Sequence, residues 1–155
     1  MIRVHKLVST SLGIGYIGKG GGTVAAVATC ICWYFVFRAG GGQLVSWQPL
    51  LLLVVTALGI WSAGAVEPLW GKDDKKVVID EVAGMGISLL FLPVTLGYIV
   101  AALVLFRFFD IAKPLLIRRL ERVEGGWGVM LDDVVAGVYT NLLLQLYLYL
   151  APTAL

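Results

Sequence analysis

Five carboxylates, Asp73, Asp80, Glu81, Asp132 and Asp133, and two cations, Arg107 and Lys113, are the side chains of this sequence best suited to chemistry. Oxygen donors gathered without His or Cys suit a hard cation such as Mg²⁺, which keeps water in its shell. Arg107 and Lys113 supply what a phosphate dianion needs, a planar fork and a point charge. Arg107, Asp110 and Lys113 follow one another at i, i+3 and i+6, so neighbouring members share a helix face. Two glycine-rich stretches complete the set. Gly125-Gly126-x-Gly128 allows a backbone to approach a ligand closely near a helix start. GYIGKGGGT (Gly15–Thr23) brings Lys19 and Thr23 to the same face of the protein as the acids.

Each group also has a plainer explanation. Asp132-Asp133 opens the last predicted helix, where acids cap free amides and complement the helix dipole. Arg107, Asp110 and Lys113 could simply pair with one another. Lys72–Lys76 is an ordinary solvated charge run, and the first glycine stretch reads as a flexible turn. Asp80-Glu81 resists such an account. It sits one turn into an otherwise apolar helix, where carboxylates are costly unless paired or metal-bound. Convergence of all these groups from three helix ends is the stronger argument for a site.

The elements that must position them are membrane helices. The chain has 155 residues, 59% of them hydrophobic, with a mean hydropathy of +0.91. Such values lie far above those of ordinary soluble domains. The blocks Ala39–Val66, Val82–Phe106 and Val134–Leu155 carry no charged side chain. We expect an all-α, polytopic bundle of about five short transmembrane helices, forming a single domain over residues 1–155. The predicted spans are Thr23–Phe37, Pro49–Val66, about Val77–Leu92, about Tyr98–Ala112 and Val134–Leu150, with a tight turn at Pro93–Gly97. Pro49–Val66 would be about 27 Å long, close to the hydrocarbon thickness. Irregular backbone is not tolerated against lipid, which leaves helices as the architecture.

Of the charged residues, all the carboxylates and every Lys and Arg except Arg38 fall on one side of these spans. The positive-inside rule then places the N-terminus and the polar stretches in the cytoplasm and the C-terminus outside. Trp47, Trp70, Trp127, Tyr147 and Tyr149 fit interfacial belts, whereas Trp33 and Trp61 could equally be core or lipid-facing. Met1–Gly22 lacks the apolar core of a signal peptide. A net charge of +2 and the lack of a basic tail argue against a nucleic-acid partner. Cys30 and Cys32 lie two apart in an apolar run and read as small packing residues, since one His offers no zinc set.

The segments GYIGKGGGT, KDDKKVVIDEVAG, FRFFDIAKPLLI and GGWGVMLDDVVAG, in this order and at these spacings, resemble the phosphatidylglycerophosphatase A family. The likeness runs from about Gly13 to Gly137. It implies a multi-pass phosphatase of the bacterial cytoplasmic membrane, dependent on Mg²⁺ and acting in phospholipid biosynthesis. Its expected substrate and lipid partner is phosphatidylglycerophosphate, which loses its terminal phosphate to give phosphatidylglycerol. The resemblance implies metal ligation by Asp80, Glu81, Asp132 and Asp133, with Asp73 and Glu67 as further candidates. It implies catalytic roles for Asp80, Asp110, Asp133, Arg107 and Lys113. Contacts to the substrate phosphate are expected from Arg107, Lys113, Lys19, Thr23 and Gly126. Two positions depart from the family pattern: Gly21 and Leu116 stand where members usually have Pro. Neither replaces a group that could bind metal or phosphate.

The expected chemistry is attack of an activated water on phosphorus, with Arg107 and Lys113 neutralising the equatorial oxygens. Asp110 or Asp73 would handle the proton of the departing glycerol oxygen. A covalent aspartyl-phosphate is the rival route. Three other readings stay open: a phosphatase for another lipid or isoprenyl phosphate, a small transporter, and a structural assembly subunit. A transporter needs a polar path outward, for which only Thr56, Ser62, Ser88, Thr95, Thr140, Asn141 and Gln145 are available. Oligomeric state is not encoded in any feature of the sequence.

Overall fold

The computed structural model describes residues 1–39, 44–114, 117–120 and 123–151. Leu116, one of the two departures from the family pattern, lies outside the described residues, as do residues 40–43 of the first predicted turn. The described chain is all-helical. The helices are α1 (Ile2–Ser9), α2 (Gly21–Ala39), α3 (Gln48–Trp70), α4 (Ile79–Ser88), α5 (Leu96–Ala112), the short α6 (Ile117–Leu120) and α7 (Gly126–Leu150). A 3₁₀ turn, Ile14–Ile17, joins α1 to α2. By length and composition, α2, α3 and α7 could each cross a membrane. The other two predicted spans become α4, of ten residues, and α5, of seventeen.

Three boundaries differ from expectation, the first at α3, which runs on to Trp70, four residues past Val66. The helix beginning near Val77 stops at Ser88 instead of Leu92. Its freed carbonyls and the turn after it find partners on other helices. Asn141 donates to the Ser88 and Leu90 carbonyls at 3.2 and 2.8 Å, and Gln145 to Leu90 at 3.1 Å. The Phe91 amide donates to Gln48 Oε1 at 3.0 Å. Backbone groups left open in hydrocarbon cost several kcal/mol each, so these amide side chains are what permits the helix to break here. The last helix begins at Gly126, well before Asp132-Asp133, and its first turn holds no acid. The pair lies nearly two turns inside α7. Capping therefore does not account for it.

In lipid, apolar burial between helices gains little, and close packing of small residues does more of the work. The packing of α4 on α7 follows that rule. A Cβ on Gly84 would lie 2.5 Å from the Asp133 carbonyl oxygen, and one on Gly137 would lie 2.4 Å from the Gly84 carbonyl oxygen. Backbone against backbone, the two helices cross where both lack side chains. Around this crossing, Trp33 and Phe37 of α2, Leu52 of α3, Met85 and Leu89 of α4, Phe106 of α5 and Leu144 of α7 form one core. A second crossing joins α3 to α7, where a Cβ on Gly126 would stand 1.9 Å from the Ile60 carbonyl oxygen.

At the charged end, the N-terminal segment closes over the loop before α4. The Val78 amide donates to the Ser9 carbonyl at 2.9 Å. Gly15 packs so tightly that a Cβ would meet the Lys76 carbonyl oxygen at 1.9 Å. The ammonium groups of Lys6 and Lys76 sit 5.5 and 4.9 Å from the ring of Trp70. Trp33 is core, whereas Trp61 is half exposed with its ring 4.0 Å from that of His5. Cys30 is buried and Cys32 exposed, on different sides of α2.

Candidate active site

The crossing of α4 and α7 sets the position of the acids. Asp80 lies four residues before Gly84 and Asp133 four residues before Gly137. Residues four apart stack on one helix face, so joining the glycines brings the two carboxylates together one turn further on. Asp80, Glu81 and Asp133 can each offer an oxygen to a common point, with those oxygens all within 4.8 Å of one another. Asp80 and Asp133 are buried, at 7% and 3% exposure. The sequence states this arrangement twice, as Asp80-Glu-Val-Ala-Gly84 and Asp133-Val-Val-Ala-Gly137. That repeat is a signal which motif-by-motif inspection passes over.

Helix α5 supplies the cations. Its lipid-side positions Leu96, Val100, Val104, Phe108 and Ile111 are exposed. Near the end of this helix, Arg107 and Asp110 reach into the acid cluster instead. The Arg107 guanidinium bonds the Asp110 carboxylate and lies 4.0 Å from Glu81 Oε1. Lys113 ends the helix in a left-handed conformation (φ 45°), and its amide donates to the Phe109 carbonyl at 2.8 Å. Its ammonium crosses to α7 and bonds Asp132 Oδ2 at 2.9 Å. The i, i+3 pair is therefore internal to α5, while Lys113 ties α5 to the second acidic pair.

The first turn of α2 closes the third side. A Cβ on Gly22 would fall 1.8 Å from Glu81 Oε1, so glycine there lets the carboxylate reach the helix start, where backbone amides favour negative charge. The other carboxylate oxygen, Glu81 Oε2, is buried with no hydrogen-bond partner among the described residues. Asp132 and Asp80 each accept the amide of the residue that follows, at 3.0 and 3.1 Å.

Together these groups line a polar cavity of about 450 Å³. Of the residues predicted from sequence, the cavity gathers Lys19, Asp73, Asp80, Glu81, Arg107, Asp110, Lys113, Asp132 and Asp133. Thr23 is exposed and Gly126 packs on α3; neither lines it. Glu67 is also outside, on α3 beside Gly125. Six lining residues were missed: Gly18, Gly20, Gly22, Val77, Asp74 and Lys75. The last two lie in the charge run read as solvated. Asp74 accepts the Lys76 amide and ammonium at 3.0 and 2.9 Å. Slight burial works to raise its carboxyl, but Lys76 more than offsets this and holds it below the ordinary carboxylate range.

A buried cluster of oxygen donors sharing a cavity with an arginine fork and three lysines has the chemistry to hold a hard divalent cation against a phosphate group. The sequence model of the phosphatidylglycerophosphatase A family matches residues 7–148. The chain belongs to this family. It is thus an enzyme, a phosphatase, and the family implies a lipid substrate. Three relatives agree. A protein of Bacteroides thetaiotaomicron bearing the name "Putative phosphatidylinositol-3-phosphatase" is 40% identical over 142 residues, covering 89% of each chain. The Phosphatidylglycerophosphatase A of Escherichia coli is 32% identical over 137 residues, 85% of this chain and 76% of that one. The protein of the same name from Haemophilus influenzae is 34% identical over 140 residues, 86% of this chain and 82% of that one. No solved structure gives a significant match.

Proposed function

We propose that this chain hydrolyses the terminal phosphomonoester of phosphatidylglycerophosphate, releasing phosphate and phosphatidylglycerol, with Mg²⁺ as cofactor. The observation that carries this reading is the cluster of Asp80, Glu81 and Asp133 oxygens within 4.8 Å, set in a cavity that Arg107 and Lys113 also line. The donor set fits Mg²⁺: all ligands are carboxylate oxygens, and Glu81 Oε2 is buried without a partner among the described residues. Asp80, Glu81 and Asp133 would hold the ion, with Asp132 beside them and Asp73 at the cavity wall. When bound, Mg²⁺ polarises a phosphoryl oxygen and makes a water more acidic.

The chain's own residues do the rest. Arg107, oriented by Asp110, presents its fork to two phosphate oxygens. Lys113, anchored on Asp132, and Lys19 add charge where the transferring group gains most from it. Asp110 or Asp73, as a carboxylate, would take the proton of the attacking water and pass it to the departing glycerol oxygen. We place the site and the N-terminus on the cytoplasmic side of the bacterial inner membrane, with five helices crossing or entering the bilayer as one domain. Transport is disfavoured by the bonding of its candidate path: Asn141 and Gln145 close the turn after α4, while Ser62, Ser88 and Thr140 bond their own helices.

One observation favours a second substrate, a phosphoinositide, because the Bacteroides relative carries that name. The deciding assay measures phosphate release in detergent micelles from phosphatidylglycerophosphate and from phosphatidylinositol 3-phosphate, with Mg²⁺ and then with chelator. We expect release from the first lipid, lost with chelator and lost in Asp80→Asn. Release from the phosphoinositide alone would transfer the assignment to that lipid; metal-independent release would remove Mg²⁺ from it.

A further inference from the structure

Beside the polar cavity lies an apolar one of about 270 Å³, walled by Ala25, Ala28 and Cys32 of α2, Val55 of α3, and Val82 and Gly86 of α4. The two cavities adjoin along both helices that they share. On α2 the polar wall ends at Gly22 and the apolar wall begins at Ala25; on α4 the change falls between Glu81 and Val82. The apolar cavity then follows α2 as far as Phe37, about 18 Å at 1.5 Å per residue. One leaflet of hydrocarbon is about 15 Å deep.

We infer that this groove holds one acyl chain of the lipid whose phosphate enters the polar cavity, and that the small side chains along α2 set the chain it accepts. The inference rests on the lipid phosphatase reading above and extends it to how the lipid is held. Two observations choose this occupant. The apolar lining begins where the polar lining ends on both α2 and α4, which matches a molecule that is charged at one end and apolar along the rest. Its length is on the scale of one lipid chain, which fills about 15 Å of hydrocarbon. Exposure of Cys32 and Val36 and of Leu51 opens the groove to the bilayer, so a chain can enter sideways.

The groove also explains the residues at its edge. Ala25, Ala28 and Thr29 keep the wall thin, while buried Trp33 and Leu52 give it a floor. A large side chain at Ala28 or Cys32 would fill the space without touching the acids.

The test compares dioleoyl with dihexanoyl phosphatidylglycerophosphate in mixed micelles, for wild type, Ala28→Phe, Cys32→Trp and a lipid-facing control, Leu142→Trp. We expect KM for the dioleoyl lipid to rise about tenfold in the two groove variants, with KM for the dihexanoyl lipid moving less than about twofold. Leu142→Trp should match wild type on both. A diazirine placed mid-chain on dioleoyl phosphatidylglycerol should label the α2 segment in wild type, and less in Cys32→Trp, which reads the groove without turnover. Equal KM changes on both chain lengths, or labelling that Cys32→Trp leaves unchanged, would overturn the groove. Wild type inert toward both lipids would instead overturn the substrate reading beneath it.

Discussion

Asp80, Glu81 and Asp133 repel one another when ionised, and Arg107 is 4.0 Å from only one of them. Such a cluster favours function over the stability of the metal-free protein. Replacing Asp133 by Asn should therefore act in opposite directions on two measurements. In chelator, thermal unfolding should show the variant more stable than wild type by about 1–2 kcal/mol, since one buried charge is gone. In Mg²⁺, phosphate release should fall by about a thousandfold or more, the scale expected when a group aimed at the reacting charge is lost. A variant that loses activity by unfolding, with its transition shifted down in chelator, would show that the carboxylate is structural. The acids were legible in the sequence because charge inside an apolar helix needs a reason. Thr23 and Gly126 were not: a hydroxyl or a glycine near a helix start fits phosphate contact and plain packing equally well, and only the neighbour decides. Gly126 packs on the Ile60 carbonyl, with no room for a side chain, and does not line the cavity.

Between elements, the crossing of α4 and α7 and the turn after α4 are separate devices with separable effects. Gly84→Val should push the helices apart, since even its first carbon would lie 2.5 Å from the Asp133 carbonyl oxygen. It should lose activity along with about 1–3 kcal/mol or more of stability, the usual cost of overpacking. Asn141→Leu should lose stability by about 1–3 kcal/mol through the uncapped Ser88 and Leu90 carbonyls, yet keep kcat, because its bonds lie at the far end of α4 from the acids. Circular-dichroism melts beside phosphate release separate the two; an Asn141 variant that melts normally but turns over slowly would reverse this assignment. Apolar runs announced five of the seven described helices; α1 and α6, short and carrying charges, were not foreseen. The ends of the five were harder, because Asn, Gln and Gly residues read as breaks or as polar strays until their partners are known. Asp132-Asp133 looked like a cap for the same reason: the glycines before it suggested a loop, whereas the helix already begins at Gly126, packed on α3.

On the scale of the molecule, charge asymmetry is the ground for the cytoplasmic placement proposed above. In a chain freed of its two native thiols, a cysteine placed at Lys75 should react with an impermeant maleimide only in inside-out vesicles, and one at Tyr149 only in right-side-out cells. The reverse pattern would put the site outside the cell and rule out a cytoplasmic lipid pool. With α5 as one of the five proposed spans, the bundle would also meet the bilayer unevenly. Along α5 the exposed apolar face runs from Leu96 to Ile111, about 24 Å; along α3 it runs from Leu50 to Leu69, about 30 Å. Hydrocarbon of ordinary thickness matches the second and overhangs the first by several ångströms, at a fraction of a kcal/mol per ångström of mismatch. Lipid beside α5 is consequently pinched or the whole bundle leans, and this elastic load eases where the membrane thins. The short helix that aims Arg107 at the site thus also gives the protein a preferred bilayer, with no lipid-specific contact required.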